Sequence, residues 1–381
     1  MFKAQKNDYI DYYLSALDSV RRLKSQMATL PKDRIDPLKR KLDTNMAAYE
    51  DSADILKKHF GFTGDQLANE EFMLKAKDRA RPCSVAFVAA KGGPGKTTLA
   101  VNLATILAFK GWKVLLVDID EQCNATLNVG LRLEEITKVR RSCRELFNPS
   151  LQDMEGMTLK PIPELPTLDL IPSTFLLMYQ ERELIYLMRD EPMLEARILT
   201  RNMLKFKDFF DQYDYVIFDT KPSLSQINEN CFASLDTLIA VTDPGYNSLT
   251  GLSTLMGYWD KVARDIRLVT PYNECIALNK LQSANIDKEI YALLTGKKDY
   301  TDSRGNVIPI DPTMLQYFGE YYTLFIDPPI KHRSAIRERE KIALPLVVNT
   351  TYQEREALKM FMDFTDALFE KGLLRINGGN D

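Results

Sequence analysis

Histidine is almost absent from this chain: two of 381 residues, His59 and His332. A zinc site or a histidine-based catalytic centre has little to work with. Cysteine is sparse and scattered. Cys83, Cys123, Cys143, Cys231 and Cys275 form no C-x-x-C pair and no even framework, which suits a reducing cytosol. No apolar run approaches the roughly 18 residues expected of a membrane span. The opening Met1-Phe2-Lys3-Ala4-Gln5-Lys6 leads into a charged amphipathic stretch rather than a secretory core. Charge of one sign is also lacking, since 50 Lys and Arg against 53 Asp and Glu give a formal charge of -3. That balance hides local asymmetry and does not exclude DNA binding. What remains is 45% hydrophobic and 27% charged, an ordinary globular composition, in a length that fits one large domain plus a smaller one.

What the chain does have is concentrated at Ala90-Lys91-Gly92-Gly93-Pro94-Gly95-Lys96-Thr97-Thr98. Apolar Val85-Ala86-Phe87-Val88 precedes this run, and Leu99, Val101, Leu103, Ile106 and Leu107 follow at helical spacing. Strand, glycine-rich turn and helix N-terminus in that order are the context of a phosphate-binding loop. Glycines let successive backbone N–H groups turn inward, and the helix dipole adds roughly half a positive charge at the same place. Lys96 is placed to reach the β- and γ-phosphates, and the Thr97 hydroxyl to ligate Mg²⁺. Gly92, Gly93, Pro94, Gly95 and Thr98 complete the expected cradle for a nucleoside triphosphate, with Ala90 where the usual pattern has its first glycine.

Two further strands end in acids. Val114-Leu115-Leu116-Val117-Asp118-Ile119-Asp120 continues as Glu121-Gln122-Cys123-Asn124-Ala125-Thr126, and Tyr215-Val216-Ile217-Phe218-Asp219-Thr220 continues as Lys221-Pro222-Ser223. Any one such strand is weak evidence, but three motifs in this order are strong together. The form K-G-G-x-G-K-T-T resembles the deviant Walker A motif of the MinD/ParA family. The resemblance covers roughly residues 83 to 350 and is dense only at these motifs. It implies that Lys91 is the signature lysine, acting across a dimer interface on the partner's nucleotide. It further implies that Asp120 orients or activates the attacking water, that Asp118 belongs to the Mg²⁺ shell, and that Asp219 holds Mg²⁺ through water. The departures from the family pattern are Glu121 and Lys221 where proline is usual, and Cys123 where glycine is common. Lys221 puts a charge in a switch-like loop, with phosphate, DNA and solvent all open as its partner and solvent the default.

Thr237-Leu238-Ile239-Ala240-Val241 reads as another buried strand, and Ser248-Leu249-Thr250-Gly251-Leu252 echoes the family's next helix start. Ile276-Ala277-Leu278-Asn279-Lys280 ends a further strand, where Asn279 either reads the nucleotide base or caps a turn. Residues 280–325 are less regular, with an exposed turn at 301–306 in an apparent insertion. The expected fold is α/β: a mostly parallel twisted sheet with helices on both faces, a P-loop NTPase, after a smaller all-helical N-terminal domain. The division falls at 1–82 and 83–381. In the first part Ile10, Tyr13, Leu14, Leu17 and Val20 share one helix face. Leu42, Met46, Tyr49, Ala53 and Leu56 form a coiled-coil-like seam, and Leu67, Phe72, Met73 and Ala76 mark a shorter helix. Pro31 and Pro37 interrupt the pattern between the first two. This region reads as dimerising rather than as a reader of operator DNA, although Arg21-Arg22-Lys24 and Lys39-Arg40-Lys41 fit phosphate contacts.

Arg333, Arg337, Arg339 and Lys341 lie in the richest basic run of the larger part and are the candidates for sequence-independent DNA contacts, against a solvated helix face. The last helix carries Met360, Phe361, Phe364, Leu368 and Phe369 with Asp363, Asp366 and Glu370, so it is expected to pack on the core rather than on anionic lipid. The cysteine pattern does not match an iron–sulfur relative, and a tyrosine kinase of this lineage would show a membrane anchor and a terminal tyrosine cluster. The resemblance therefore implies a cytoplasmic, nucleoid-associated ParA-like ATPase using ATP and Mg²⁺. It would dimerise, bind nonspecific DNA and respond to a ParB-type partner in partitioning a plasmid or other DNA cargo. A MinD-like positioning ATPase and a nucleotide-regulated repressor are the alternatives.

Overall fold

The seam of apolar residues at four- and three-residue spacing becomes one long helix, α1 (Asp36–Phe60), in which Leu56 is buried and Leu42, Met46, Tyr49 and Ala53 are half-buried. The computed structural model describes residues 36–60, 82–187, 198–265 and 273–374, together with Tyr13, Ala16 and Val20. The chain separates into two compact units, Met1–Arg79 with Arg267–Pro271, and Ala80–Ile266 with Tyr272–Asp381. In the smaller unit Tyr13, Ala16 and Val20 are helical and buried, and the Tyr13 ring stacks on Tyr49 at 5.1 Å. Ile10, Leu14 and Leu17, the cluster Arg21-Arg22-Lys24 and the expected helix through Leu67, Phe72, Met73 and Ala76 lie outside the described residues.

In the larger unit, short β-branched and aliphatic runs form a seven-stranded sheet. Its strands are β1 (Cys83–Val88), β2 (Val114–Ile119), β3 (Leu168–Ile171), β4 (Tyr215–Thr220), β5 (Thr237–Thr242), β6 (Asn273–Leu278) and β9 (Phe325–Ile326), in the order β3-β2-β4-β1-β5-β6-β9. Every pairing is parallel. All residues of β1, β2, β4 and β5 are buried, which is why these strands read as continuous apolar runs rather than alternating ones. Parallel strands deliver all their carboxyl ends to one edge, and the ends of β1, β2 and β4 lie side by side there.

Helix α2 (Lys96–Phe109) follows β1 and is apolar nearly all round, because the sheet covers one side and the last helix covers the other. The short α3 (Asn124–Asn128) follows β2; α4 (Leu177–Leu187) follows β3; α5 (Gln226–Phe232) follows β4; α6 (Tyr246–Asp265) follows β5. After β9 come α7 (Ser334–Lys341) and α8 (Arg355–Glu370). Helix α8 turns Phe361, Phe364 and Leu368 into the core, as its sequence led one to expect, with Lys110 of the α2 end ion-paired to Asp366. The irregular stretch contains a two-stranded antiparallel hairpin, β7 (Asp299–Thr301) and β8 (Val307–Pro309). Its turn is held by the Asp302 carboxylate, which accepts N–H bonds of 2.8 Å from both Arg304 and Asn306. Among the described residues no helix is long and apolar enough to cross a membrane.

Candidate nucleotide-binding site

The loop after β1 is shaped by backbone angles that ordinary residues avoid. Gly93 and Gly95 have φ of 95° and 97°, and Gly95 is the residue that opens α2. Gly95 is fixed twice over: a Cβ there would stand 2.1 Å from the Asn279 side-chain nitrogen. That nitrogen donates 2.7 Å to the Pro94 carbonyl, so Asn279 at the end of β6 braces the loop from behind. Its amide oxygen accepts the N–H of Lys280 at 2.8 Å. Asn279 thus holds a turn and also lines the cavity above the loop. Ala90 replaces the usual first glycine without crowding because Gly251 of α6 faces its methyl; a Cβ on Gly251 would come within 3.2 Å.

Thr97 Oγ1 donates 2.7 Å to Asp219 Oδ2. The other oxygen, Asp219 Oδ1, is buried and has no hydrogen-bond partner. A buried carboxylate oxygen left open beside a P-loop hydroxyl fits a hard cation that completes its shell with phosphate oxygens and water. Among the described residues no group of three or more His, Cys, Asp or Glu is arranged to hold a metal. Asp118 is paired in register with Asp219 across β2 and β4. Burial raises the pKa of both carboxyls; the neighbouring Asp118 raises Asp219 further, and Asp120 adds to the rise of Asp118. Asp118 Oδ2 accepts from Thr126 N and Oγ1 at 2.8 and 2.7 Å, and Oδ1 accepts from Asp120 N at 3.1 Å. Its oxygens thus hold the turn that carries Asp120. Asp120 is itself buried, which raises its pKa, while its Oδ1 accepts the Gln122 N–H at 3.0 Å. Cys123, where glycine is common, sits at φ 56° at the start of α3, and burial pushes its thiol up to about 12.

A cavity of about 640 Å³ lies over this edge, lined by Gly92, Gly93, Gly95, Lys96, Thr97, Thr98, Asp120 and Asn279. Its far wall is Lys280, Lys331, His332, Arg333, Arg337 and Glu340. Lys280 donates to the Gly93 carbonyl, and Thr98 donates to Glu340. Sequence reasoning missed Lys280, Lys331 and Glu340. The only signal for Lys280 was its place directly after Asn279. Arg333 and Arg337, four apart on one face at the start of α7, line the cavity; Arg333 also pairs with Glu356 at 3.0 Å, and Lys341 is exposed. Lys91 is turned elsewhere. Its amine lies 3.3 Å from Asp243 Oδ1, and it is not part of the cavity lining, whereas Lys96 is buried in it.

Two expectations need correction. Arg339 is not available to DNA: it is 5% exposed, its Nε donates 2.6 Å to Glu354 Oε1, and its Nη atoms donate 2.8 Å to the carbonyls of Val348 and Asn349. The guanidinium in turn holds the Glu354 carboxyl down to about 2. Arg339→Ala is expected to destabilise the fold by about 3 kcal/mol, read as a lower urea midpoint, because it strands Glu354 and two carbonyls. A midpoint unchanged from the parent would contradict that account. The default of solvent for Lys221 also fails. Lys221 is 8% exposed and is enclosed by Glu181, with which it forms an ion pair, and by Glu121 at 3.6 Å.

A parallel sheet with a glycine cradle, a buried lysine and an Mg²⁺-suited acid at one edge defines a P-loop nucleoside-triphosphate-binding protein. A family model described as an AAA domain matches residues 83–269. The sporulation initiation inhibitor protein Soj of Bacillus subtilis is 31% identical over 172 residues, 45% of this chain and 62% of that protein. The chromosome partitioning protein ParA of Myxococcus xanthus is 33% identical over 176 residues, 46% and 57% of the two chains. The chain therefore spans less than two thirds of the length of these relatives. Among solved structures, a putative plasmid partition protein from Borrelia burgdorferi bound to AMPPNP superposes with a TM-score of 0.57 at 21% identity, covering 76% of this chain and 100% of that one. Cobyrinic acid a,c-diamide synthase from Mycobacterium smegmatis, with ATP analog and magnesium bound, gives 0.54 at 20% identity over 77% and 96%. At such identities the structural likeness establishes the fold. In its motifs and its sequence relatives the chain is similar to ParA-type partition ATPases of the MinD/ParA family.

Proposed function

We propose that this chain is a cytoplasmic, Mg²⁺-dependent ATPase that dimerises on ATP, associates with nucleoid DNA without sequence preference, and partitions a plasmid or other DNA cargo, with a ParB-type partner stimulating hydrolysis. The observation that carries the reading is the division of labour between two lysines five residues apart in sequence: Lys96 is buried in the cavity, and Lys91 is paired outside it with Asp243. Lys96 and the loop N–H groups would bind the phosphates. Thr97 and Asp219 would hold Mg²⁺, which when bound neutralises charge developing on the transferred phosphoryl group. Asp120, buried and fixed by the Gln122 N–H, would orient the attacking water. Asp118 would act by holding the Asp120 turn rather than by touching the ion. Lys91 would reach the nucleotide of a second copy, supplying charge as an arginine finger does. Arg333, Arg337 and Lys341 remain the candidates for DNA phosphates, and the smaller unit the candidate for a dimerising arm.

The test is sedimentation of the protein with nonspecific DNA in ATP–Mg²⁺, ADP–Mg²⁺ or no nucleotide. Co-sedimentation is expected only with ATP and should weaken as salt rises, since phosphate contacts release counterions. Binding that is equal in all three conditions, or absent from all, would contradict the reading. In the second case a protein- or membrane-positioning role of the MinD kind becomes the better account.

A further inference from the structure

The two proline positions at which this sequence departs from the family pattern face each other in space. Glu121 follows Asp120 directly, and Lys221 follows Thr220 and Asp219; Ile119 and Thr220 are register partners on adjacent strands, so the two loops leave the sheet side by side. Lys221 Nζ lies 3.6 Å from Glu121 Oε2 and is also ion-paired to Glu181 of α4. Glu121 Oε2 is buried and accepts no hydrogen bond, so the ammonium is its compensation. The backbone of Lys221 is anchored independently. Its carbonyl accepts Asn228 Nδ2 of α5 at 2.9 Å and the Ser223 N–H at 2.9 Å. Glu121 sits within a tight turn closed by the Cys123 N–H on the Asp120 carbonyl at 2.9 Å. The Glu121 carboxylate is thus carried by the same turn that presents Asp120.

We propose that Lys221 is a positioning residue for hydrolysis: bridging Glu121 and Glu181, it ties the turn that carries Asp120 to the loop that follows Asp219 and to α4. The proposal rests on the ATPase reading above. Lys221 does not line the cavity; it acts through Glu121 on where Asp120 stands, and through its own backbone on the Asp219 loop. A buried ammonium between two carboxylates is costly to desolvate and costly to break, which makes it a poor general stabiliser but a stiff link. Two loops that must agree in position before a water is in line gain from such a link, because small misplacements of a catalytic group lower turnover steeply.

The experiment compares ATP turnover and binding of a fluorescent ATP analogue, both with Mg²⁺, in the parent and in Lys221→Met, Lys221→Arg, Glu121→Gln and the double variant Glu121→Gln/Lys221→Met. Methionine keeps the bulk of the stem and removes the charge. Lys221→Met is expected to turn over about tenfold slower with nucleotide affinity within about twofold of the parent. Lys221→Arg should recover most of the rate. The Glu121→Gln defect should be smaller in the Lys221→Met background than alone, the mark of a coupled pair. Unchanged turnover in Lys221→Met, or fully additive defects in the double variant, would overturn the proposal. If Lys221→Met does not fold, Glu121→Gln decides alone: slower turnover at retained affinity supports the link, and parental turnover overturns it. A parent protein that binds nucleotide but hydrolyses none would overturn the ATPase reading itself, a result distinct from any pattern among the variants.

Discussion

Gly95→Ala is expected to weaken ATP–Mg²⁺ binding by about 10²- to 10³-fold while the rest of the sheet stays folded. The added methyl meets two independent obstacles. The backbone at φ 97° costs an L-residue about 1–2 kcal/mol. The new Cβ would lie 2.1 Å from Asn279 Nδ2, well inside contact distance. Asn279 cannot swing away freely, because the same side-chain nitrogen holds the Pro94 carbonyl at 2.7 Å. Relief therefore requires loss of the Pro94 bond, roughly 1 kcal/mol more, and a shift of the loop that aims the N–H groups at phosphate. The strained backbone and the lost bond reach about 2–3 kcal/mol, the misaimed N–H groups add to them, and each 1.4 kcal/mol is about tenfold in affinity. The neighbouring glycines provide a graded control. Gly93→Ala meets the same positive φ with open space around it, so about a tenfold loss is expected. Gly92→Ala meets neither obstacle and should bind within about threefold of the parent. Titration of a fluorescent ATP analogue measures all three, and equal affinities across the series would contradict the steric account.

The same pair shows what the sequence could and could not reveal. Strand, glycines, Lys96 and the helix start are contiguous, so the phosphate loop was legible from local order alone. That Asn279, 184 positions beyond Gly95, closes the loop from behind is a product of β6 lying beside β5. Asn279 was singled out for its strand end, but its partner was not. The acids Asp118, Asp120 and Asp219 were legible because parallel strands bring their carboxyl ends to one edge. The finer division, with Asp118 holding Thr126 and Asp219 keeping an open oxygen, depends on side-chain turns that no spacing encodes. Basic residues were the least legible. Arg333, Arg337, Arg339 and Lys341 read alike as a charged run, yet Arg339 falls on the inner face of α7 and is consumed by Glu354 and the 348–349 carbonyls. Lys221 was misread for the converse reason. A charge in a loop is usually solvated, but here two carboxylates from other segments enclose it.

Lys91→Ala carries the other large expectation: ATP turnover about 10³-fold lower and no ATP-dependent dimer, with nucleotide binding by the single chain nearly intact. The ion pair between Lys91 and Asp243 is exposed, with side chains 46% and 26% accessible, so it is worth at most about 1 kcal/mol and does not hold the fold. Nor does Lys91 shape the loop, whose entry is set by Ala90 against Gly251 and whose exit is set by Gly95. Since the amine points away from its own cavity, its removal should spare the affinity that Lys96 and the loop N–H groups provide. What it would remove is a charge available to a second molecule. Sedimentation velocity with a non-hydrolysable ATP analogue reads the dimer, and steady-state turnover reads the chemistry. Asp243→Ala separates this from an intramolecular role: freeing Lys91 should leave dimerisation intact or strengthen it, whereas a lysine that served only to hold Asp243 would make the two variants behave alike. A normal dimer in Lys91→Ala would refute the cross-subunit role and confine the lysine to a surface ion pair.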